Sequence, residues 1–177
     1  LFAGYEDRVF RSSDNGNTWQ QAGENITSTR GLTANNNDVY AATGGGVYFS
    51  SNNGLNWSLI NNGLPEHSHI FSILYNNGSV IAGTEWTGVY TTTNNGTNWF
   101  AANNVITSTR VYAINSVNNI LFAGSDGNLV SSTTDNGVNW TWLNNGLPSL
   151  GFIGAIYYYN NILFTGFQQP SKGIYYS

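Results

Sequence analysis

One short segment recurs four times along this chain, and its spacing constrains the fold more than any other feature. The copies are SSDNGNTW (12–19), SSNNGLNW (50–57), TTNNGTNW (92–99) and TTDNGVNW (133–140). Their tryptophans follow one another after 38, 42 and 41 residues. Because self-similarity at a fixed period marks a repeated structural unit, each unit must be complete within about 41 residues.

Each repeat contains four strand-like runs, which we label A to D in chain order. Strand B is the clearest of them and occurs as LFAGY (1–5), VYAAT (39–43), VIAGT (80–84), LFAGS (121–125) and LFTGF (163–167). Strand A precedes it, strand C leads into the recurring segment, and strand D follows the tryptophan. Four short strands at this period are typical of a β-propeller, whose sheets stack because one twisted sheet cannot bury both of its faces.

The composition agrees with many short strands and excludes several classes of function. Asparagine, with 28 of 177 residues, and glycine, with 21, favour tight turns. Five basic residues and a net charge of −4 give no electrostatic surface for nucleic acid. No apolar run approaches the roughly 20 residues of a membrane helix, so we expect no membrane insertion. Cysteine is absent, which excludes disulfides and thiolate zinc sites, and we expect neither a metal nor a cofactor.

The recurring segment resembles the Asp-box, or BNR repeat, of sialidases, sortilin-type receptors, photosystem-assembly propellers and secreted bacterial proteins. Its pattern is Ser/Thr-x-Asp-x-Gly-x-Thr-Trp, with asparagine in place of the acid at Asn52 and Asn94. The resemblance implies that each box shapes the hairpin between strands C and D and packs its tryptophan between blades. Asparagine can make the same turn-forming hydrogen bond. The residues in these structural roles are Asp14, Gly16, Trp19, Asn52, Gly54, Trp57, Asn94, Gly96, Trp99, Asp135, Gly137 and Trp140.

We therefore predict one all-β domain over residues 1–177, a β-propeller segment of four-stranded antiparallel blades with Asp-box C–D hairpins. Its predicted parts are a partial blade of strands B, C and D (1–26), three blades (27–67, 68–109 and 110–152) and a partial blade of strands A, B and C (153–177). An open stack of blades leaves apolar faces uncovered at both ends. This predicts either self-association or further blades of a larger chain.

The charged residues point to one rim of the stack. In an antiparallel blade the B–C loops and the D–A connections share a rim, and the A–B and C–D turns share the other. Ten of the 14 charged residues and both histidines fall on the B–C/D–A rim. The charged residues are Glu6, Asp7, Arg8, Glu24, Arg30, Glu66, Glu85, Arg110, Asp126 and Lys172. Variable polar residues gathered at one end of a scaffold indicate binding there.

Within this rim we select six candidate ligand-binding residues, which are Trp86, Glu85, Arg30, Arg110, Asp126 and His67. An aromatic side chain beside polar groups, as at Trp86, suits stacking with sugars. Arg30 and Arg110 both end a TSTR segment, and such recurrence favours a structural role or a repeated binding site. His67 and His69 would share one face if that stretch were a strand, but no third metal ligand besides Glu66 accompanies them.

These features predict a non-catalytic recognition or scaffold propeller from a secreted or cell-surface bacterial protein, binding a glycan or a protein. No set of residues on the rim forms a convincing catalytic group, so we assign no catalytic residue. Two alternatives remain: a fragment of an Asp-box glycoside hydrolase such as a sialidase, and a structural spacer within a long surface protein. Fold by itself does not decide among them.

Overall fold

The computed structural model describes residues 1–23, 26, 28–106, 110–127, 129–147, 151–168 and 173–176. Glu24 and Lys172 of the predicted rim lie outside these ranges. Within them, every regular element is a β-strand, and the strands form five antiparallel sheets. No helix of the described residues is long and apolar enough to cross a membrane.

The strands of each sheet pair in the order in which they follow along the chain. The first sheet contains β1 (Phe2–Tyr5), β2 (Arg8–Arg11) and β3 (Gln20–Gln21). The second contains β4 (Gly31–Asn35), β5 (Asp38–Thr43), β6 (Gly46–Ser50) and β7 (Ser58–Leu59). The third contains β8 (Ile70–Asn76), β9 (Ser79–Thr84), β10 (Val89–Thr92) and β11 (Phe100–Ala101).

The fourth sheet contains β12 (Val111–Val117), β13 (Ile120–Ser125), β14 (Leu129–Thr133) and β15 (Thr141–Trp142). The fifth contains β16 (Phe152–Tyr159), β17 (Ile162–Gln168) and β18 (Gly173–Tyr176). The three middle sheets thus have four strands and the outer two have three. The expectation of an all-β chain built from four-stranded antiparallel sheets is confirmed.

The apolar cores lie between successive sheets. Each of the four clusters joins strands of two neighbouring sheets. Fully or almost fully buried pairs from the four clusters are Val9 with Ala41, Val47 with Ile70, Ile81 with Leu121, and Val130 with Ile153. Strand B of the third sheet, β9, is buried at all six positions. Because neighbouring sheets cover both of its faces, its sequence lacks the polar alternation of a half-exposed strand.

Each box closes its hairpin with hydrogen bonds that span only four residues. In the first box, the Ser12 hydroxyl donates to Asp14 Oδ1 at 2.7 Å and accepts from the Gly16 N–H at 2.8 Å. The Asp14 carboxylate then accepts from the Thr18 N–H at 2.9 Å and from the Thr18 hydroxyl at 2.6 Å. The side chains therefore satisfy backbone donors that the tight turn leaves without a partner.

The two boxes with asparagine keep the same geometry. Asn52 Oδ1 accepts from the Asn56 N–H at 2.9 Å, and Asn94 Oδ1 accepts from the Asn98 N–H at 3.1 Å. An amide oxygen thus replaces the carboxylate oxygen without loss of the turn. Each hairpin also needs two consecutive residues with positive φ, which an Asn–Gly pair adopts at little cost. The four pairs are Asn15–Gly16, Asn53–Gly54, Asn95–Gly96 and Asn136–Gly137.

The box tryptophans connect each sheet to the one before it. The Trp99 indole N–H donates to the Ile60 carbonyl at 2.6 Å, and the Trp140 indole N–H donates to the Ala102 carbonyl at 2.7 Å. The Trp57 indole N–H donates in the same way to the Ala22 carbonyl. Trp99 and Trp140 are 3% and 5% exposed, whereas Trp19, in the first sheet, is 42% exposed. The difference arises because the described residues place no sheet in front of Trp19.

The fifth sheet presents an apolar face to solvent. Tyr157 pairs with Phe164, which pairs with Tyr176, so the three side chains lie on the same face. Tyr157, Tyr159, Ile174 and Tyr176 are each more than half exposed. The opposite face of this sheet packs against the fourth sheet through Ile153 and Phe167. The exposed face therefore has the composition of an inter-blade surface.

We predict that Trp99→Ala destabilises the chain far more than Trp19→Ala. Removing the buried Trp99 ring leaves a cavity between two sheets, and the expected loss is about 3–5 kcal/mol. The loss at Trp19 should be clearly smaller, because 42% of this residue is already exposed and its removal leaves no cavity between two sheets. Urea unfolding followed by circular dichroism measures both values. Equal losses for the two variants would contradict the inter-blade role.

We also predict acid sensitivity that originates in the boxes with aspartate. Hydrogen bonds from Thr18 lower the pKa of Asp14 from 3.8 to about 2, and hydrogen bonds led by the Asn139 backbone lower the pKa of Asp135 from 3.8 to about 2. Because both folded-state values are depressed, the stabilisation is complete above 3.8 and is lost as the pH falls towards 2.

The double variant Asp14→Asn and Asp135→Asn should therefore lose less stability between pH 5 and pH 2 than the wild type. The variant lacks the two carboxylates whose lowered pKa values make the folded state sensitive to acid. Thermal unfolding at a series of pH values measures the effect. Asn52→Asp is the matched reverse variant and should add acid sensitivity. Identical pH profiles for all three proteins would show that the box carboxylates are not responsible.

Candidate functional site

The B–C loop of the third sheet and the D–A connection of the fourth meet on the predicted rim. Trp86 lies in the first of these segments, between β9 and β10, and Arg110 lies directly before β12. The Arg110 guanidinium carbon is 3.6 Å from the centroid of a Trp86 ring. A cation at this distance over an indole face is attracted by the negative face of the ring system. The pair therefore joins two neighbouring blades at the surface.

Two carboxylates and one histidine surround this pair. Arg110 Nε is 3.7 Å from Glu85 Oε1, and Arg110 Nη1 is 3.7 Å from Asp126 Oδ2. The other Glu85 oxygen, Oε2, is 2.6 Å from His69 Nδ1, so this nitrogen carries the donated hydrogen. These three contacts are the ion pairs found in the described part of the chain. We name Trp86, Arg110, Glu85, Asp126 and His69 the Arg110 cluster.

The charges within the Arg110 cluster largely offset one another. Two carboxylates and one guanidinium leave one net negative charge when His69 is neutral. The side chains of Glu85 and Asp126 are 20% and 35% exposed, so each carboxylate keeps contact with solvent. Trp86 is 56% exposed although Arg110 covers one of its faces. The surface thus combines an accessible aromatic ring with carboxylate oxygens whose charge is already partnered.

A row of planar side chains continues from the cluster across four blades. The Arg30 guanidinium carbon lies 4.3 Å from the Phe71 ring centroid, and the Phe71–Tyr112 and Tyr112–Phe152 ring pairs are tilted by 34° with centroids 5.0 Å and 4.8 Å apart. Burial raises the pKa of Tyr112 above its ordinary value, and the neighbouring Asp126 carboxylate adds to the effect. Sequence reasoning missed this row, although its members recur at intervals of 41, 41 and 40 residues and three of them are aromatic.

The two TSTR arginines occupy different positions in their blades. In the second sheet Gly31 pairs with Ala42 without a register shift, so Arg30 comes immediately before the paired residue. In the fourth sheet a β-bulge lies between Val111 and Ala113, and Ala113 takes the pairing position that corresponds to Gly31. Relative to strand B, the residue that corresponds to Arg30 is therefore Tyr112.

The extra residue at the bulge moves Arg110 away from the row of rings and towards the B–C loop. This is why Arg30 stacks on Phe71 while Arg110 stacks on Trp86. The expectation of equivalent positions, drawn from the shared letters TSTR, does not hold in the paired sheets. A β-bulge commonly re-aims a side chain in this way.

The histidines also differ from the expectation of a shared strand face. Strand β8 begins at Ile70, and His67 lies in the preceding turn with a φ of 55°. His67 is exposed, and His69 is the histidine that contacts Glu85. The described residues contain no group of three or more histidine, aspartate or glutamate side chains that could hold a metal ion.

The larger grooves lie away from the Arg110 cluster. One of about 530 Å³ separates the first two sheets and is lined by Arg11, Gln21 and Trp57. A corresponding groove of about 380 Å³ between the third and fourth sheets is lined by Thr91, Phe100 and other residues of their boxes and D strands. The Arg110 cluster is instead an open surface, which suits the edge or face of an extended ligand.

We predict energetic coupling between Arg110 and Trp86. A double-mutant cycle of Arg110→Met and Trp86→Leu should give a coupling of about 0.5–1 kcal/mol, the size expected of an exposed cation–π pair. Urea unfolding of the four proteins measures it. The control cycle pairs Arg110→Met with Trp142→Leu, whose tryptophan lies in β15 at the outer edge of the fourth sheet. A coupling no larger than in this control would contradict the stacking.

Comparisons with solved structures identify β-propellers. The chain superposes on the extracellular domain of a one-component system from B. thetaiotaomicron with a TM-score of 0.79 and 13% identity, covering 99% of this chain and 24% of that one. YCF48 bound to D1 peptide gives a TM-score of 0.71 and 18% identity, covering 99% and 60%. The GH74 xyloglucanase from Xanthomonas campestris gives 0.72 and 14%, covering 100% and 34%.

The chain spans less than two thirds of the length of each of these proteins. No family model and no curated protein matches its sequence. At identities below 25% the likeness is one of fold, and the resemblance to Asp-box repeats remains a prediction from the residues. The chain is a β-propeller segment of four-stranded antiparallel blades, which confirms the predicted fold class.

Proposed function

We propose that this chain belongs to a non-catalytic recognition propeller of a secreted or cell-surface bacterial protein. In this proposal it binds a glycan or a protein through the rim of B–C loops and D–A connections. The box rim carries the turns that shape each blade, which leaves the opposite rim free to vary. Recognition sites are disproportionately built on loops that a rigid scaffold positions.

The observation that carries this proposal is the Arg110 cluster. Side chains from two blades converge there, and ion pairs and a cation–π contact join them to one another. The Arg110 ion pairs are 3.7 Å long and only partly buried, so we expect their contribution to stability to be modest. The Arg110 cluster holds an aromatic ring and two carboxylates in fixed positions at the surface, and this arrangement supports a binding role.

Two of the similar structures agree with this proposal. One is an extracellular domain, which supports an extracellular or cell-surface location for this chain. Another, YCF48, is bound to a peptide, so a propeller of this kind can hold a protein ligand. The sizes of the three proteins also leave room for further blades beside this segment.

The second candidate function is that of a glycoside hydrolase fragment. The GH74 xyloglucanase favours it, as do two carboxylates, Glu85 and Asp126, on either side of Arg110. Against it, both carboxylates are engaged by the same guanidinium, whereas the general acid of a glycosidase needs a raised pKa. A sialidase-like site would also need several arginines free for a carboxylate, but Arg110 and Arg30 are each stacked on an aromatic ring.

We predict that Arg110→Ala weakens binding to any ligand found on glycan and peptide arrays by about tenfold or more, since central arginines often dominate interface energetics. Asp38→Asn is the control, because it removes a charge from the first residue of β5, next to the β4–β5 turn on the opposite rim. Surface plasmon resonance measures the affinities. A ligand whose binding responds to Asp38→Asn but not to Arg110→Ala would contradict the choice of rim.

We further predict no turnover of xyloglucan or of a fluorogenic sialoside by the purified chain. Reducing-sugar release and fluorescence measure the two reactions. Turnover that disappears in Glu85→Gln or Asp126→Asn would favour the hydrolase instead, because these changes remove the acid–base group while keeping the shape of the side chain.

A further inference from the structure

Trp86 is the most exposed tryptophan of the chain, and one of its faces is already occupied. The Arg110 guanidinium covers that face at 3.6 Å, while 56% of the residue remains accessible. Most of the accessible area must then belong to the opposite face and the edge of the indole. An indole that is supported on one side and open on the other is a flat apolar platform.

The platform is held at both of its ends. On one side, Glu85 contacts Arg110 and His69, so the residue next to Trp86 in the chain is fixed. On the other side, the Thr87 N–H donates to the Thr84 hydroxyl oxygen at 3.0 Å. These contacts restrict the loop before any ligand arrives. A ligand therefore incurs a smaller entropic cost when it stacks on the ring.

The surrounding charges select against an anionic ligand. The only cation in the cluster, Arg110, lies near both Glu85 and Asp126, so its charge is already compensated. A ligand carboxylate would compete with these two groups and would also meet their repulsion. A cationic ligand would meet the repulsion of Arg110, which lies 3.7 Å from both carboxylates. A neutral ligand faces neither penalty.

The remaining hydrogen-bonding capacity suits hydroxyl groups. Both carboxylates are partly exposed and have more acceptor sites than Arg110 and His69 use. His69 uses Nδ1 for Glu85, which leaves Nε2 on a side chain that is 44% exposed. Donor-rich hydroxyls at the edge of a ring would find acceptors here while the apolar face of that ring lies on Trp86.

We propose that Trp86 is the stacking platform for an uncharged pyranose ring of a glycan, with Glu85 and Asp126 accepting hydrogen bonds from its hydroxyl groups. This inference rests on the proposed recognition function and names its ligand class. Arg110 acts as a positioning residue, since it holds the indole from behind. The Arg30–Phe71–Tyr112–Phe152 row borders the site and would lie along a longer chain of sugars.

The test is isothermal titration of the 177-residue chain with three neutral oligosaccharides, namely cellohexaose, mannohexaose and maltohexaose. Sialyllactose serves as the anionic probe and an oligolysine peptide as the cationic probe. We expect at least one neutral probe to bind and neither charged probe to do so. Trp86→Ala should weaken that binding by about tenfold or more, and Trp86→Phe by only about threefold, because a smaller aromatic face remains.

Two further variants separate the platform from general surface effects. Trp142→Ala, which removes an indole that is 37% exposed on the outer edge, should leave the affinity unchanged. Arg110→Lys keeps the charge but loses the planar group, and we expect an intermediate loss together with a change in Trp86 fluorescence. Unchanged fluorescence in Arg110→Lys would overturn the positioning role.

The outcomes distinguish this inference from the function on which it rests. If no neutral probe binds, or if binding survives Trp86→Ala, the platform is wrong. If a peptide or an anionic glycan binds instead and Arg110→Ala abolishes that binding, the recognition rim stands and its assigned ligand class is wrong. If array ligands bind only on the opposite rim or not at all, both proposals fail together.

Discussion

A single indole hydrogen bond fastens each of three blades to the one before it, and the rest of the structure depends on this contact. It runs from the box tryptophan to a carbonyl beside strand D of the preceding sheet, as for Trp57, Trp99 and Trp140. The indole reaches that carbonyl only because the box hairpin is rigid, and the hairpin is rigid because hydrogen bonds over four residues saturate it. Local chemistry thereby sets both the shape of a blade and its spacing from the next.

The same constraint separates the two rims of the segment. On the box rim, uncharged amides make contacts both within and between blades, as between Asn53 and Asn37 of one blade at 3.0 Å and between Asn77 and Asn119 of neighbouring blades at 2.6 Å. Those amide side chains already form hydrogen bonds to one another within the fold. The connections of the opposite rim carry no box, and there the ion pairs of the described residues gather around Arg110. Charge is scarce in this chain, and its concentration on the rim without boxes is the physical basis for placing recognition there.

The blade pattern could be predicted from the sequence, whereas the contacts of the candidate site could be predicted only in part. The hydrogen bonds of a box and the length of a strand depend on residues close together in the chain. The regular spacing of box residues such as Trp57 and Trp99 was therefore sufficient to predict the hairpins and the blades. The charged rim followed from strand direction. The contact between Trp86 and Arg110 joins two neighbouring blades. It depends on the β-bulge between Val111 and Ala113, which the amino-acid sequence does not reveal. Likewise, His69 rather than His67 contacts Glu85, because His67 lies in a turn with positive φ before the strand.

The six indole N–H groups of the chain allow the most direct test of glycan recognition at this rim. They can be observed separately in a nitrogen-15 correlation spectrum recorded during titration with a neutral hexasaccharide. If an uncharged sugar stacks on Trp86, its indole signal shifts with saturation while those of the buried Trp99 and Trp140 stay in place. A shift confined to the box tryptophans, or a Trp86 signal that stays unchanged while another indole responds, would contradict recognition at this rim.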